Sequence, residues 1–136
     1  MNRKRILIVM AAGSGVRMGA TVPKQFLDLG GVPILRRTIE AFISVVPDIK
    51  VVTVLPGDHI AFWKDYCLVS DFNCPQTLVP GGFTRFHSVR NALKKVPDGA
   101  VVAIHDGVRP LLSPKLIGNM FERMDSGGVR ALLPVT

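Results

Sequence analysis

The stretch Ile6-Leu7-Ile8-Val9-Met10, running into Ala11-Ala12-Gly13-Ser14-Gly15-Val16-Arg17-Met18-Gly19 and then Pro23-Lys24-Gln25-Phe26, decides the fold. The apolar run has strand length and several β-branched residues, which predicts a buried strand. The Gly-rich segment after it lets backbone N–H groups approach an anion closely, because glycine has no Cβ and tolerates positive φ. Arg17 and Lys24 add two cations to the same loop. The combination points to a polyphosphate site; the competing reading is a long Gly-rich connection.

Two common phosphate loops are excluded by spacing. The dinucleotide fingerprint needs Gly-x-Gly-x-x-Gly, and Met18 stands at its last position. The Walker A loop needs Gly-Lys-Ser/Thr at its end, whereas Lys24 follows Pro23 and precedes Gln25.

Outward from this loop, strand-like runs occur at 5–11, 49–55, 76–80, 100–104 and 130–135. Amphipathic helical stripes separate them. Ile34, Leu35, Thr38, Ile39, Phe42 and Val46 form one stripe. Val89, Ala92, Leu93 and Val96 form a second, and Ile117, Met120, Phe121 and Met124 a third. Ser113-Pro114 reads as N-cap and first helical residue. Asp58 is a candidate cap for a weaker helix through Ile60, Trp63 and Cys67. This alternation predicts an α/β fold, three-layer and Rossmann-like, with a mostly parallel sheet and helices on both faces. The chain reads as a single nucleotide-binding α/β domain over 1–136, the N-terminal part of a longer catalytic domain, because Gly127–Thr136 reads as a turn and a strand whose following loop is missing.

In such a fold the carboxyl ends of the strands share one edge, where ligands bind. Three segments fall there: the loop 12–32, Pro80-Gly81-Gly82-Phe83-Thr84-Arg85, and His105-Asp106-Gly107-Val108-Arg109-Pro110. In the second, a helix N-terminus with Ser88 one turn in suits an anion or a base edge. Its alternative is an ordinary turn in which Thr84 caps its own helix and Arg85 and Arg90 are solvated. In the third, Asp106 at a strand end suits Mg²⁺, which takes oxygen ligands and keeps phosphates and waters. The alternative is a structural aspartate held by Arg109 or by backbone N–H groups. His105 reads as a packed histidine in preference to a base, and His59 and His87 as surface residues.

Composition narrows the class. With 48% apolar and 20% charged residues the chain is globular, and no apolar run approaches the roughly 20 residues of a membrane helix. Met1-Asn2-Arg3-Lys4-Arg5 before the first strand is a poor signal peptide, because the apolar part is short and β-branched. Cys67 and Cys74 lack zinc-finger spacing to a histidine and read as free thiols in a reducing compartment. The net charge of +7 is scattered, apart from Arg3-Lys4-Arg5, and reads as anion-binding positions plus solvated faces rather than a nucleic-acid surface. No Gly-x-Ser-x-Gly elbow or His-Glu-x-x-His pair supports a hydrolase.

Taken in order, Ala11–Gly19 with Pro23–Leu27, Gly81-Gly82-x-Thr84-Arg85-x-x-Ser88-Val89 and His105-Asp106-x-x-Arg109-Pro110 resemble the motifs of the sugar and polyol nucleotidyltransferases. Within them the set is similar to the 2-C-methyl-D-erythritol 4-phosphate cytidylyltransferase family. The ribitol-5-phosphate cytidylyltransferases share these motifs and stay an alternative. The resemblance implies cytidylyl transfer from CTP to a polyol phosphate with release of pyrophosphate. It implies Arg17 and Lys24 as catalytic cations. It implies Ala11, Ala12, Gly13, Ser14, Gly15, Gly82, Ser88 and Asp106 as nucleotide contacts, and Asp106 beside Mg²⁺. It also implies a cytoplasmic enzyme that is a homodimer at full length. Gly107-Val108 replaces the family's usual Ala-Ala, and Phe86-His87 stands where a polar residue is frequent. Two other classes remain: a non-catalytic nucleotide-binding module, and a dinucleotide-dependent oxidoreductase, which Met18 disfavours.

Overall fold

The computed structural model describes residues 4–11, 28–29, 32–106 and 113–126. Strand β1 is Arg5–Met10, β2 Asp28–Leu29, β3 Val32–Pro33, and helix α1 Ile34–Val45. Strand β4 is Lys50–Leu55, followed by a 3-10 turn Gly57–His59 and α2 Ile60–Val69. Strand β5 is Gln76–Pro80, α3 Arg85–Leu93, β6 Val101–Asp106 and α4 Pro114–Asp125. The main sheet has the order β5-β4-β1-β6, with every neighbouring pair parallel. The expected three-layer α/β fold is therefore the one observed. The expected strand at 130–135 lies outside the described residues.

Period-2 alternation assigns each strand residue to a face. Leu7, Val9, Val51, Leu55 and Val101 point to one side, where they meet Leu35, Ile39 and Phe42 of α1, Trp63 of α2, and Ile117 and Phe121 of α4. Ile6, Ile8, Met10, Val52 and Val54 point to the other, where Ala92 and Val89 of α3 cover them. Both central strands are buried on both faces, which is why they read as unbroken apolar runs.

Local signals were accurate where a side chain terminates an element. Ser113 accepts a hydrogen bond from the Leu116 amide at 3.1 Å, with Pro114 opening α4. Other expectations need correction. Asp58 lies inside the 3-10 turn and caps nothing, because that turn precedes α2 and presents His59 at the cap position. Helix α3 ends at Leu93, so Val96 packs from the following turn and Leu93 is exposed. The loop expected over 12–32 contains, at its end, the antiparallel pair β2–β3, with Leu29 opposite Val32, leading directly into α1.

Two polar ties fix the layers. Arg5 donates through Nε and Nη2 to Asp125 Oδ2, at 3.2 and 2.6 Å, joining the start of β1 to the end of α4. Asp48 lies 3.8 Å from the same guanidinium. The hydrogen bond to Asp125 is the main reason the Arg5 pKa is raised. The second tie is part-buried. Gln76 Oε1 accepts from Thr53 Oγ1 at 2.6 Å and from Trp63 Nε1 at 3.0 Å. Trp63 stacks on Tyr66 with centroids 5.4 Å apart, and Arg36 lies 4.6 Å above the neighbouring Phe72 ring.

Trp63 and Thr53 are both fully buried, so the Gln76 carbonyl satisfies two donors that water cannot reach. Gln76→Leu should destabilise the fold by about 2 kcal/mol, the cost of stranding buried donors. Urea denaturation followed by Trp63 fluorescence measures this; an unchanged midpoint would remove Gln76 from the account of the core.

Candidate active site

Register brings the strand ends together. Met10 is level with Val54 on one side and Asp106 on the other, and Leu55 is level with Pro80. Ala11, Gly81 and Asp106 therefore lie along one carboxyl edge. The Ala11 amide donates to Val54 O at 2.8 Å, and the Gly81 amide donates to Leu55 O at 2.8 Å, so both chains leave the sheet still held by it. Ala11 is buried. Ala12, Gly13, Ser14, Gly15, Arg17 and Lys24 lie outside the described residues, as do Gly107, Val108, Arg109 and Pro110.

The turn after β5 is built around glycine. A Cβ on Gly82 would sit 2.4 Å from His87 Cβ, so only glycine lets the turn lie against the first turn of α3. The Gly82 amide donates to Ser88 Oγ at 3.0 Å, and Ser88 is buried. Two expected nucleotide contacts are thus in direct contact with each other; the Ser88 hydroxyl braces the turn and keeps its own proton to donate. Thr84 Oγ1 accepts from the His87 amide at 3.2 Å, capping α3 as expected, and lies 2.8 Å from His87 Nδ1. Asn91 Nδ2 donates to Pro80 O at 3.2 Å, closing the far side of the turn.

Arg85, read from sequence as a solvated residue in the ordinary-turn alternative, has a partner: its Nη1 donates to Asp106 Oδ1 at 3.4 Å. Neither residue type nor spacing announces this pair, which joins segments 21 residues apart. The Asp106 carboxylate is about one-third exposed at the end of β6. Among the described residues no three His, Cys, Asp or Glu side chains cluster as a metal cage. A single carboxylate suffices for Mg²⁺ only when phosphate oxygens and water complete the shell, and Asp106 fits that arrangement.

The histidines sort by packing. His105 is buried and edge-on to Phe42, with centroids 5.7 Å apart, in line with the packed reading. His59 and His87 are half-buried rather than on the surface, His59 beside Asp58 and His87 against the Gly82 turn.

A concavity of about 360 Å³, lined by Trp63, Lys64, Cys67, Cys74, Gln76 and Leu78, lies beside the first half of β5, away from its carboxyl end. Cys67 and Cys74 are free thiols, as expected. Burial pushes both pKa values up, which holds them as thiols and poor nucleophiles near neutral pH.

Comparison with known proteins agrees with this arrangement. Residues 5–136 match the family model IspD, described as 2-C-methyl-D-erythritol 4-phosphate cytidylyltransferase. A 2-C-methyl-D-erythritol 4-phosphate cytidylyltransferase of Porphyromonas gingivalis is 47% identical over 100% of this chain and 61% of its own length. The 4-diphosphocytidyl-2C-methyl-D-erythritol synthase of Anaerococcus prevotii superposes with a TM-score of 0.69 at 28% identity, covering 90% of this chain and 51% of that one. The bifunctional IspDF of Campylobacter jejuni gives 0.73 at 29% identity, covering 90% and 31%. The chain spans between half and about 60% of the length of the curated relatives it matches.

The tight approach at Gly82 makes a direct test of the turn. Gly82→Ala should destabilise by about 1–3 kcal/mol, the usual cost of overpacking, and should weaken protection of the His87 amide. Hydrogen exchange and thermal melting measure both; a wild-type melt would show that the turn yields freely.

Proposed function

Because the chain belongs to the 2-C-methyl-D-erythritol 4-phosphate cytidylyltransferase family, we propose that the protein transfers a cytidylyl group from CTP to 2-C-methyl-D-erythritol 4-phosphate, releasing pyrophosphate in isoprenoid biosynthesis. The observation that supports this most is the family match over residues 5–136, together with Ala11, the Gly82 turn and Asp106 on one carboxyl edge. On this reading the enzyme works in the cytoplasm, and the full-length protein is a homodimer.

The chemistry sets what the residues must do. An acceptor phosphate oxygen attacks the α-phosphorus of CTP, and the bond to the pyrophosphate oxygen breaks. Negative charge builds on the α-phosphate oxygens during in-line displacement. Catalysis is therefore mainly alignment plus electrostatic stabilisation. Arg17 and Lys24 supply cations to those oxygens. The backbone at Ala11, Ala12, Gly13, Ser14 and Gly15 wraps the nucleotide, while Gly82 and Ser88 hold cytosine and ribose. The braced Ser88 hydroxyl suits this task, since a hydroxyl fixed by Gly82 reads a base edge with little reorganisation. Asp106 is the carboxylate that would hold Mg²⁺. Held there, the ion would supply Lewis-acid stabilisation of the charge that builds on the phosphates.

Pyrophosphate release by the protein at the family's full length tests the reading, with methylerythritol phosphate and ribitol 5-phosphate offered in turn. Lys24→Ala should lower kcat and kcat/KM together by on the order of 10²–10³, as expected for a group acting mainly in the transition state. A near wild-type kcat would remove Lys24 from the mechanism. CTP should be strongly preferred over UTP at equal concentration, because reversed donors at the pyrimidine edge leave buried polar groups unpaired. Equal turnover with UTP would overturn the assignment of the base pocket.

A further inference from the structure

We propose that Arg85 is a positioning residue, which holds the Asp106 carboxylate toward the place where nucleotide phosphates and their metal bind. The proposal rests on the nucleotide reading of the carboxyl edge given above.

Placement is the first argument. Strands β5 and β6 are the two outer strands of the described sheet, with β4 and β1 between them. Arg85 opens the helix that follows β5, and Asp106 ends β6. Their contact, Nη1 to Oδ1 at 3.4 Å, therefore links the two sides of the edge at which Ala11 leaves β1.

Local electrostatics give the second. Arg85 is the first residue of α3, and that helix has no acidic residue in its first turn. A cation there faces the positive end of the helix dipole, which is unfavourable by itself. The balancing carboxylate comes from β6, not from the helix. A local rule broken in this way is characteristic of a functional constraint.

The third argument is rigidity at one end and openness at the other. The backbone beneath Arg85 is fixed by the Thr84 cap, the Gly82–Ser88 hydrogen bond and the close fit of Gly82 on His87. The Arg85 side chain itself is more than half exposed. A pair this exposed adds little to stability. Its contrast is Arg5 with Asp125, where two N–H groups converge on one oxygen and the shorter contact is 2.6 Å. Arg85 is thus anchored well enough to aim a carboxylate and placed too openly to serve as a structural tie. Groups that orient a metal-binding carboxylate in this way commonly change metal affinity or activity 10–100-fold when removed.

Calorimetric titration of CTP, with Mg²⁺ and separately with EDTA, tests the proposal. Arg85→Ala should weaken Mg²⁺-dependent CTP binding about tenfold and leave binding in EDTA unchanged. Arg85→Lys, which keeps the positive charge and a donor toward Asp106, should restore most of the loss. The double variant Arg85→Ala with Asp106→Asn should bind no more weakly than Asp106→Asn alone, since the two residues act as one unit. Additive losses, or an equal loss in EDTA, would show that Arg85 contacts the nucleotide directly and overturn the positioning role. Unchanged binding by Arg85→Ala would overturn it as well. If that variant fails to fold, Arg85→Gln under the same titrations decides by the same criteria. Absence of CTP binding by the unmodified chain would overturn the nucleotide reading itself, a failure read before any variant is compared.

Discussion

Two-sided burial of β1 and β4 is the constraint on which everything else in this molecule depends. A strand covered on both faces cannot leave a backbone amide or carbonyl unpaired inside the sheet, so it must be bordered on both edges. Parallel neighbours β5 and β6 provide those borders, and α1, α2 and α4 on one face and α3 on the other provide the cover. Once the strands are parallel and in register, their carboxyl ends share an edge. The site is a consequence of that geometry before any catalytic residue is considered.

Small fixtures organise the described part of the edge. The Ala11 and Gly81 amides remain bonded to β4 as the chain leaves the sheet. Gly82 gives up its side chain so that the turn can lie on α3, and Ser88 holds that turn from beneath. On the proposed reading the charge for phosphoryl chemistry comes from Arg17 and Lys24 of one loop and from Asp106 at the end of β6.

Much of this was legible in the sequence, for definable reasons. The runs Ile6–Met10 and Lys50–Leu55 announce buried strands because two-sided burial removes alternation. Ser113-Pro114 and Thr84 announce helix starts because capping is a local interaction, readable from a few neighbouring residues. Asp58 misled for the same reason. Its chemistry is right for a cap, but the intervening 3-10 turn displaced the helix start by one residue, which no propensity encodes. The Arg85–Asp106 pair and the Gly82–His87 fit were illegible, because each depends on the distance between elements or on where a missing Cβ would fall. The family motifs identified Gly82, Arg85 and Asp106 as a group without saying what they do to one another.

The order of the strands in space has a consequence for how the chain is made. Strand β1, the earliest of the described strands, ends up between two that come later: its border on one side begins at Lys50 and on the other at Val101. The tie from Arg5 to Asp125 spans 120 positions. Contacts this distant must overcome the entropy of closing long loops before they give any return, which slows folding. A nascent chain on the ribosome therefore holds its most apolar strand with one edge unpaired until β6 has emerged. Over that interval the segment Ile6–Met10 is exposed to chaperones and to other chains, and only the arrival of residues past 100 withdraws it.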